Sequence, residues 1–314
     1  MIGRIYEYAP YTTSYARGEN VMQVLGFLLC VIWGFNFVVM KWGNGAFAPV
    51  EFASLRFLVG TAVLLVILLW RRTPLPRRGD IKWFVLCGLL QTTYFNIAIQ
   101  ISLNHISAGL TSVLTYSMPL FLSLMAHFWI PGERLGLRRG SGIVIGLCGL
   151  FLAMGIGGSG GSIWAVLLGL SSAVAWALSN LIIKNKLANC DKTQFTAWQM
   201  GIGTLGLGAY SALLEPHHPH WSGASILYLL FAGIVASALA FLLWTNILAR
   251  TEASKASVML LLVPIFGVLS GWVFLHEQLH VNTLAGILLV LAGIFIVNRP
   301  LPFARRIAAA GGEK

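Results

Sequence analysis

Apolar residues run through this chain in long stretches separated by short polar segments. The stretches fall at about 22–40, 49–70, 82–103, 106–130, 140–156, 162–183, 193–214, 224–249, 254–275 and 281–298. Runs near twenty residues match the hydrocarbon thickness of a bilayer when coiled as α-helix. Helix is the expected form because lipid offers the backbone no hydrogen-bond partners, so each segment must satisfy its own. A transmembrane β-barrel would need alternating segments of roughly ten residues, and the pattern lacks them. The reading is an all-α membrane protein with ten transmembrane helices.

The pattern occurs twice. Ala108, Ser112, Val113 and Pro119 correspond to Ala253, Ser257, Val258 and Pro264; with one residue then lost from the second copy, Glu133, Leu135, Gly142, Ile143 and Gly149 correspond to Glu277, Leu279, Gly286, Ile287 and Gly293. Upstream, Trp33 and Lys41 match Trp176 and Lys184, Phe52, Gly60 and Thr61 match Phe195, Gly203 and Thr204, and Gly88 and Leu103 match Gly233 and Leu248. Self-similarity on this scale decides architecture before local signals do. It divides the chain into a tail (1–21), a first five-helix unit (22–156), a Gly-rich linker (157–162), a second five-helix unit (163–298) and a second tail (299–314).

Composition agrees with lipid as solvent. Hydrophobic residues make up 57% of the chain and charged residues 10%, against about a quarter charged in soluble domains. The net charge of +11 would suggest nucleic acid in a soluble protein, but here the cations sit in loops and report topology. With the amino terminus on the cytoplasmic side, 19 of the 21 Lys and Arg face the cytoplasm, only Lys41 faces out, and Arg56 lies within a span. Positive charge marks cytoplasmic loops, so both termini are placed in the cytoplasm and the linker outside. Five spans per unit is an odd number, so the second unit must be inserted upside down relative to the first. Inverted-topology repeats are characteristic of secondary transporters, whose solute site lies near mid-membrane where the repeats meet. The segment before the first span has no apolar core of a cleavable signal, and the four cysteines have no metal spacing.

His276-Glu277-Gln278-Leu279-His280 has the H-E-x-x-H form, which on a helix would put two histidines on one face for zinc. Its repeat counterpart, Pro131-Gly132-Glu133-Arg134-Leu135, keeps Glu and Leu but has no histidine. The shared glutamate is therefore expected to cap the helix that follows it. A membrane-embedded zinc enzyme using His276, Glu277 and His280 is the alternative function. Glu215-Pro216-His217-His218-Pro219-His220 reads as a polar turn fixed by two prolines. Pro119 and Pro264, near mid-span in each unit, are expected to bend their helices beside a cavity. Arg56 is either a buried functional cation or one that snorkels to the outer interface.

Trp33, Asn36, Phe37 and Met40 share one helical face, as do Trp176, Ser179, Asn180 and Ile183. Span three offers Gln91, Tyr94 and Asn96, span four Ser112, Thr115 and Tyr116, and span eight Ser237, Trp244 and Asn246. Polar groups and aromatics at mid-depth suit a small amphipathic solute. The candidate substrate-binding residues are Trp33, Asn36, Arg56, Tyr94, Tyr116, Trp176, Asn180 and Trp244.

The opening WGFNFVVMKWG, the PVEFASLRF start of span two, AWALSNLIIKN in span six and the paired proline-then-GERL or HEQL endings together resemble the EamA-type family of the drug/metabolite transporter superfamily, over about 22–298. The likeness is greatest to bacterial exporters of cysteine and related metabolites. The resemblance implies ten helices, a central cavity between inverted repeats and export from the cytoplasm. The chain departs from the family pattern in having Glu-Gln for Glu-Arg in the second ending. The expected function is an inner-membrane secondary transporter exporting amino acids or their derivatives by alternating access, as a monomer or a homodimer. Its partners would be a small solute and the bilayer, with no nucleic acid, no cofactor, no metal and no catalytic residue.

Overall fold

The structure, a computed structural model, describes residues 11–129, 136–153, 162–216, 219–250, 260, 262–279 and 281–298. All the regular elements among the described residues are helices, with no strand among them. In chain order the elements are α1 (Tyr11–Asn44), α2 (Pro49–Trp70), α3 (Arg78–Cys87), π1 (Gly88–Tyr94), α4 (Phe95–Leu103), α5 (Ala108–Thr115), α6 (Met118–Trp129), α7 (Leu137–Ala153), α8 (Ile163–Lys186), α9 (Lys192–Leu214), α10 (Gly223–Leu230), π2 (Phe231–Leu239), α11 (Ala240–Arg250), α12 (Leu262–Leu275) and α13 (Val281–Asn298). Six helical stretches are long and apolar enough to cross a membrane: Val24–Asn44, Pro49–Trp70, Arg78–Leu103, Ala108–Trp129, Ile163–Lys186 and Gly223–Trp244; Leu262–Leu275 and Leu284–Val297 are shorter apolar helices. Large apolar side chains cover the outside, among them Val66, Leu69 and Trp70 on α2, Leu205 and Leu213 on α9 and Leu288 on α13. Apolar patches of that size are not tolerated in water and are ordinary against acyl chains.

Two boundaries differ from the sequence expectation. The helix of the first span begins at Tyr11, so it extends into the segment read as a tail. The third span begins at Arg78, where Asp80 in the first turn complements the helix dipole. The linker (157–162), except Ser162 at the start of α8, and the carboxy-terminal tail (299–314) lie outside the described residues, as does the first part of the ninth apolar stretch.

The elements do not pack half against half as two bodies side by side. The most extensive contacts pair an element of residues 22–156 with one of 163–298: α7 with α13, α2 with α9, α1 with α12, α4 and α6 with α8, π1 with α9, α5 with α12, and α2 with π2. Glycine makes the closest of these possible. A methyl added at Gly142 would sit 2.9 Å from the Gly293 carbonyl oxygen, and one at Gly149 would sit 2.7 Å from that of Gly286. Small residues at such crossings let backbones meet where lipid supplies no hydrophobic drive for association.

Segments π1 and π2 occupy equivalent places in the third and eighth apolar stretches. A π turn leaves carbonyls without their usual partners, and nearby side chains take them up. Asn96 Nδ2 donates to Thr92 O at 2.7 Å, Ser237 Oγ donates to Ala232 O at 2.7 Å, and the Trp33 indole donates to Ala236 O at 3.0 Å. Both π segments face the same internal space.

Candidate functional site

That space is a cavity lined by Trp33, Asn36, Phe37 and Met40 of α1, Arg56 and Phe57 of α2, Gln91 and Thr92 of π1, Phe95, Asn96 and Ile99 of α4, Thr115 and Tyr116 at the end of α5, Trp176 of α8, Ala236 of π2 and Phe241 of α11. Seven of these sixteen residues carry aromatic rings. Tyr116 stands between the two repeat-mate tryptophans, 6.5 Å from Trp33 and 5.5 Å from Trp176 between centroids; Phe241 packs on Trp33 at 5.6 Å and Phe95 on Trp176 at 5.4 Å. These edge-on and tilted contacts suit aromatic quadrupoles and hold the rings in place before any solute arrives.

Tyr116 reaches this position because span four breaks there. Helix α5 stops at Thr115 and α6 starts at Met118. Pro119 has no N–H and its ring would clash with the carbonyl four residues back, that of Thr115. The bend expected at the proline therefore appears at Tyr116–Ser117, and it is Thr115 and Tyr116, not Pro119, that line the cavity. Pro264 falls in the first turn of α12 and is buried.

Arg56 is buried at 4% exposure and does not snorkel. Its Nη2 donates to Asn96 Oδ1 at 2.6 Å and its Nη1 to Ser237 Oγ at 3.3 Å, while the guanidinium carbon lies 4.4 Å from the Phe57 ring centroid. Arg56 thus joins the residues that follow or form the two π segments. Glu51 is engaged elsewhere: its Oε2 accepts from Ala48 N at 3.2 Å. Among the described residues no carboxylate forms an ion pair with Arg56. Its repeat counterpart Gln199 is buried and donates to Thr92 Oγ1 at 3.2 Å.

Five of the eight candidate residues therefore line one cavity: Trp33, Asn36, Arg56, Tyr116 and Trp176. The other three do not. Tyr94 is 42% exposed and its hydroxyl is 2.9 Å from Ser171 Oγ. In an α-helix it would share a face with Gln91, but across π1 the wider turn brings Gln91, Phe95 and Ile99 together and swings Tyr94 out. Asn180 is turned aside to Met118, with Nδ2 3.4 Å from the sulfur. Trp244 lies behind the wall, its ring centroid 6.1 Å from that of Trp33. Thr92, Phe95, Ala236 and Phe241 were not among the candidates; the π turns and the opposite half bring them in.

The H-E-x-x-H stretch has a different use. His276 has φ 54° and ends α12 in the left-handed region, so residues 276–279 are not helical and the spacing does not place histidines on one face. His280 lies outside the described residues. Glu277 Oε1 accepts from Ala108 N at 2.7 Å and from Lys41 Nζ at 3.0 Å, and its Oε2 accepts from Gly109 N at 3.2 Å. Ser107 Oγ takes the next donor, Leu110 N, at 3.1 Å. The glutamate therefore caps the fourth span from across the molecule, and among the described residues it makes no bond to the helix that follows it. Glu215 does the same for α2, accepting from Val50 N at 2.9 Å and Glu51 N at 2.8 Å, beyond Pro49 which has no N–H to satisfy. In the polar turn after α9, His220 N donates to Ala46 O at 2.8 Å, and His217 and His218 lie outside the described residues.

The EamA-like transporter family matches this chain at residues 21–155 and again at 163–299. The uncharacterized transporter YoaV of Bacillus subtilis is 30% identical over 91% of this chain and 99% of its own length, and YvbV of the same organism 31% identical over 92% and 94%. The probable amino-acid metabolite efflux pump of Escherichia coli is 25% identical over 87% of this chain and 93% of its own. A solved crystal structure at 20% identity shares the fold, with a TM-score of 0.65 over 92% of this chain and 99% of that one. This multi-pass membrane protein, its aromatic cavity walled by both matched segments, belongs to the EamA-like transporter family.

Proposed function

We propose that the chain is a secondary transporter of the bacterial inner membrane that exports amino acids or their derivatives by alternating access. In this reading ten spans form two inverted repeats of five, both termini are cytoplasmic, and the protein acts by moving a solute and not by turning one over. The observation that carries the reading is the cavity in which the repeat mates Trp33 and Trp176 meet through Tyr116. The exchange pattern of contacts supports it too: α1 packs on α12 as α8 packs on α6, and π1 packs on α9 as π2 packs on α2. A pseudo-two-fold axis in the membrane plane would relate each pair, and rocking one repeat against the other would expose the cavity to alternate sides. The relatives named for amino-acid metabolite efflux support the solute class and direction.

The closed end bearing Lys41 and Glu277 is then the external face. Their ion pair, together with Lys41 Nζ donating to Ile106 O at 3.3 Å, ties the first span to the loops of spans three and nine, and opening outward requires those ties to separate. The test is uptake of labelled amino acids and N-acyl derivatives into inside-out vesicles. Expression-dependent accumulation of at least one of them is expected. Absence of movement for the whole panel, in vesicles that contain folded protein, would remove the reading.

A further inference from the structure

The cavity carries one full charge. Arg56 is the only ionised side chain at physiological pH among its lining residues, which include neither Asp nor Glu. Its described partners are neutral: an amide oxygen, a hydroxyl and a ring face. Its Nε has no hydrogen-bond partner, and two further buried atoms of the lining share that condition, Asn36 Oδ1 and Thr115 Oγ1. A buried cation without a counter-ion is strongly unfavourable in a medium of low dielectric. Structural arginines in such places are paired with carboxylates; this one is held by neutral acceptors that orient it, and among the described residues no carboxylate compensates its charge. The aromatic walls around it favour a flat apolar body.

Resting on the transport reading above, we propose that the solute is a monoanion, a carboxylate with an apolar or aromatic body, and that Arg56 is its counter-ion. A solute of charge −1 brings the site to neutrality. A zwitterion leaves it at +1, and an amine adds a second cation. N-acylated and other amino-acid derivatives without a free ammonium therefore fit the cavity better than amino acids themselves. Asn36 Oδ1 and Thr115 Oγ1 offer acceptors for an amide N–H or a hydroxyl on the same solute. Asn96 and Ser237 are positioning residues that fix the guanidinium from the two π segments.

The test uses three matched probes on the purified full-length protein: N-acetylphenylalanine, phenylalanine and phenylalanine amide. Binding is followed by calorimetry and movement by counterflow in liposomes. N-acetylphenylalanine should bind about ten to a hundred times more tightly than the amide, the worth of a hydrogen bond to a charged group, with phenylalanine between them. Arg56→Gln should abolish the preference while Arg56→Lys keeps part of it. The wild-type ranking decides the matter even if the variants fold poorly. Transport that ignores the carboxylate, or favours the amide, overturns the monoanion site and leaves a transporter. Arg56-dependent binding of the carboxylate with no movement keeps the site and overturns the transport reading. No binding of any probe, with no movement, overturns the monoanion site as described.

Discussion

Glu277 shows how one side chain can hold several elements together. It closes the open end of α5 and pairs with Lys41 of α1 while belonging to the segment after α12. Losing it strands two helix donors and a cation at once. Glu277→Ala is expected to cost about 1–2 kcal/mol, the range for a lost cap, read as a lower midpoint of thermal unfolding in detergent. Lys41→Met should cost less, because Lys41 is the more exposed partner and exposed ion pairs contribute little. His276→Gly makes the opposite case: glycine adopts positive φ without strain, so stability should hold or rise slightly, and a marked loss would show that the imidazole itself is needed. Cys190, in the loop after α8, has its thiol pushed up chiefly by burial, with Lys192 opposing and Asp80 adding to it. The thiolate is therefore scarcer at neutral pH than for an ordinary cysteine, and maleimide labelling should still be climbing above about pH 8.5, where a free thiol is half ionised.

At the scale of elements, the apolar runs made the helices legible and the doubled pattern made the equivalent places in the two halves legible, because hydropathy and repetition are properties of the string itself. Trp33, Asn36 and Arg56 were also legible: one lies on a mixed aromatic and amide face beside another, and the third is a charge inside a span. What stayed hidden depends on backbone register or on distant neighbours. No residue type announces a π turn, so Tyr94 was placed on a face that π1 rotates away, and Phe95 was overlooked. Capping by Glu277 was read as local because sequence shows only the helix next to it, whereas Ala108 lies 169 positions earlier. The break at Tyr116 follows from Pro119 acting on the preceding turn. Pro119→Ala should let the fourth span straighten and withdraw Thr115 and Tyr116 from the cavity. Solute affinity should fall while the yield of folded protein stays near that of the wild type; unchanged affinity would mean that the bend is held by packing alone.

For the whole molecule, the expected topology gives a direct check. Reporter fusions after Arg78, Arg139 and Lys192 should report the cytoplasm, and a fusion at His218 the exterior. A cytoplasmic signal there would contradict inverted insertion. The interleaved packing also bears on how the protein is made. Arg56 enters the membrane early in synthesis, yet one of its two hydrogen-bond partners, Ser237, is 181 residues further along the chain. Gly60 and Gly142 likewise wait for Gly233 and Gly293 to meet them. An arginine within a span costs about 2.5–3.5 kcal/mol on insertion scales, so the first matched segment must persist in the bilayer with its guanidinium held by Asn96 but not yet by Ser237 until the ribosome has finished the second. A fragment ending near residue 156 should accordingly be degraded when made alone and be rescued when 163–314 is made beside it. The two halves would have to be born close together in time and place, and any pause in translation between them lengthens the interval in which quality-control proteases can find a half-held charge in the membrane.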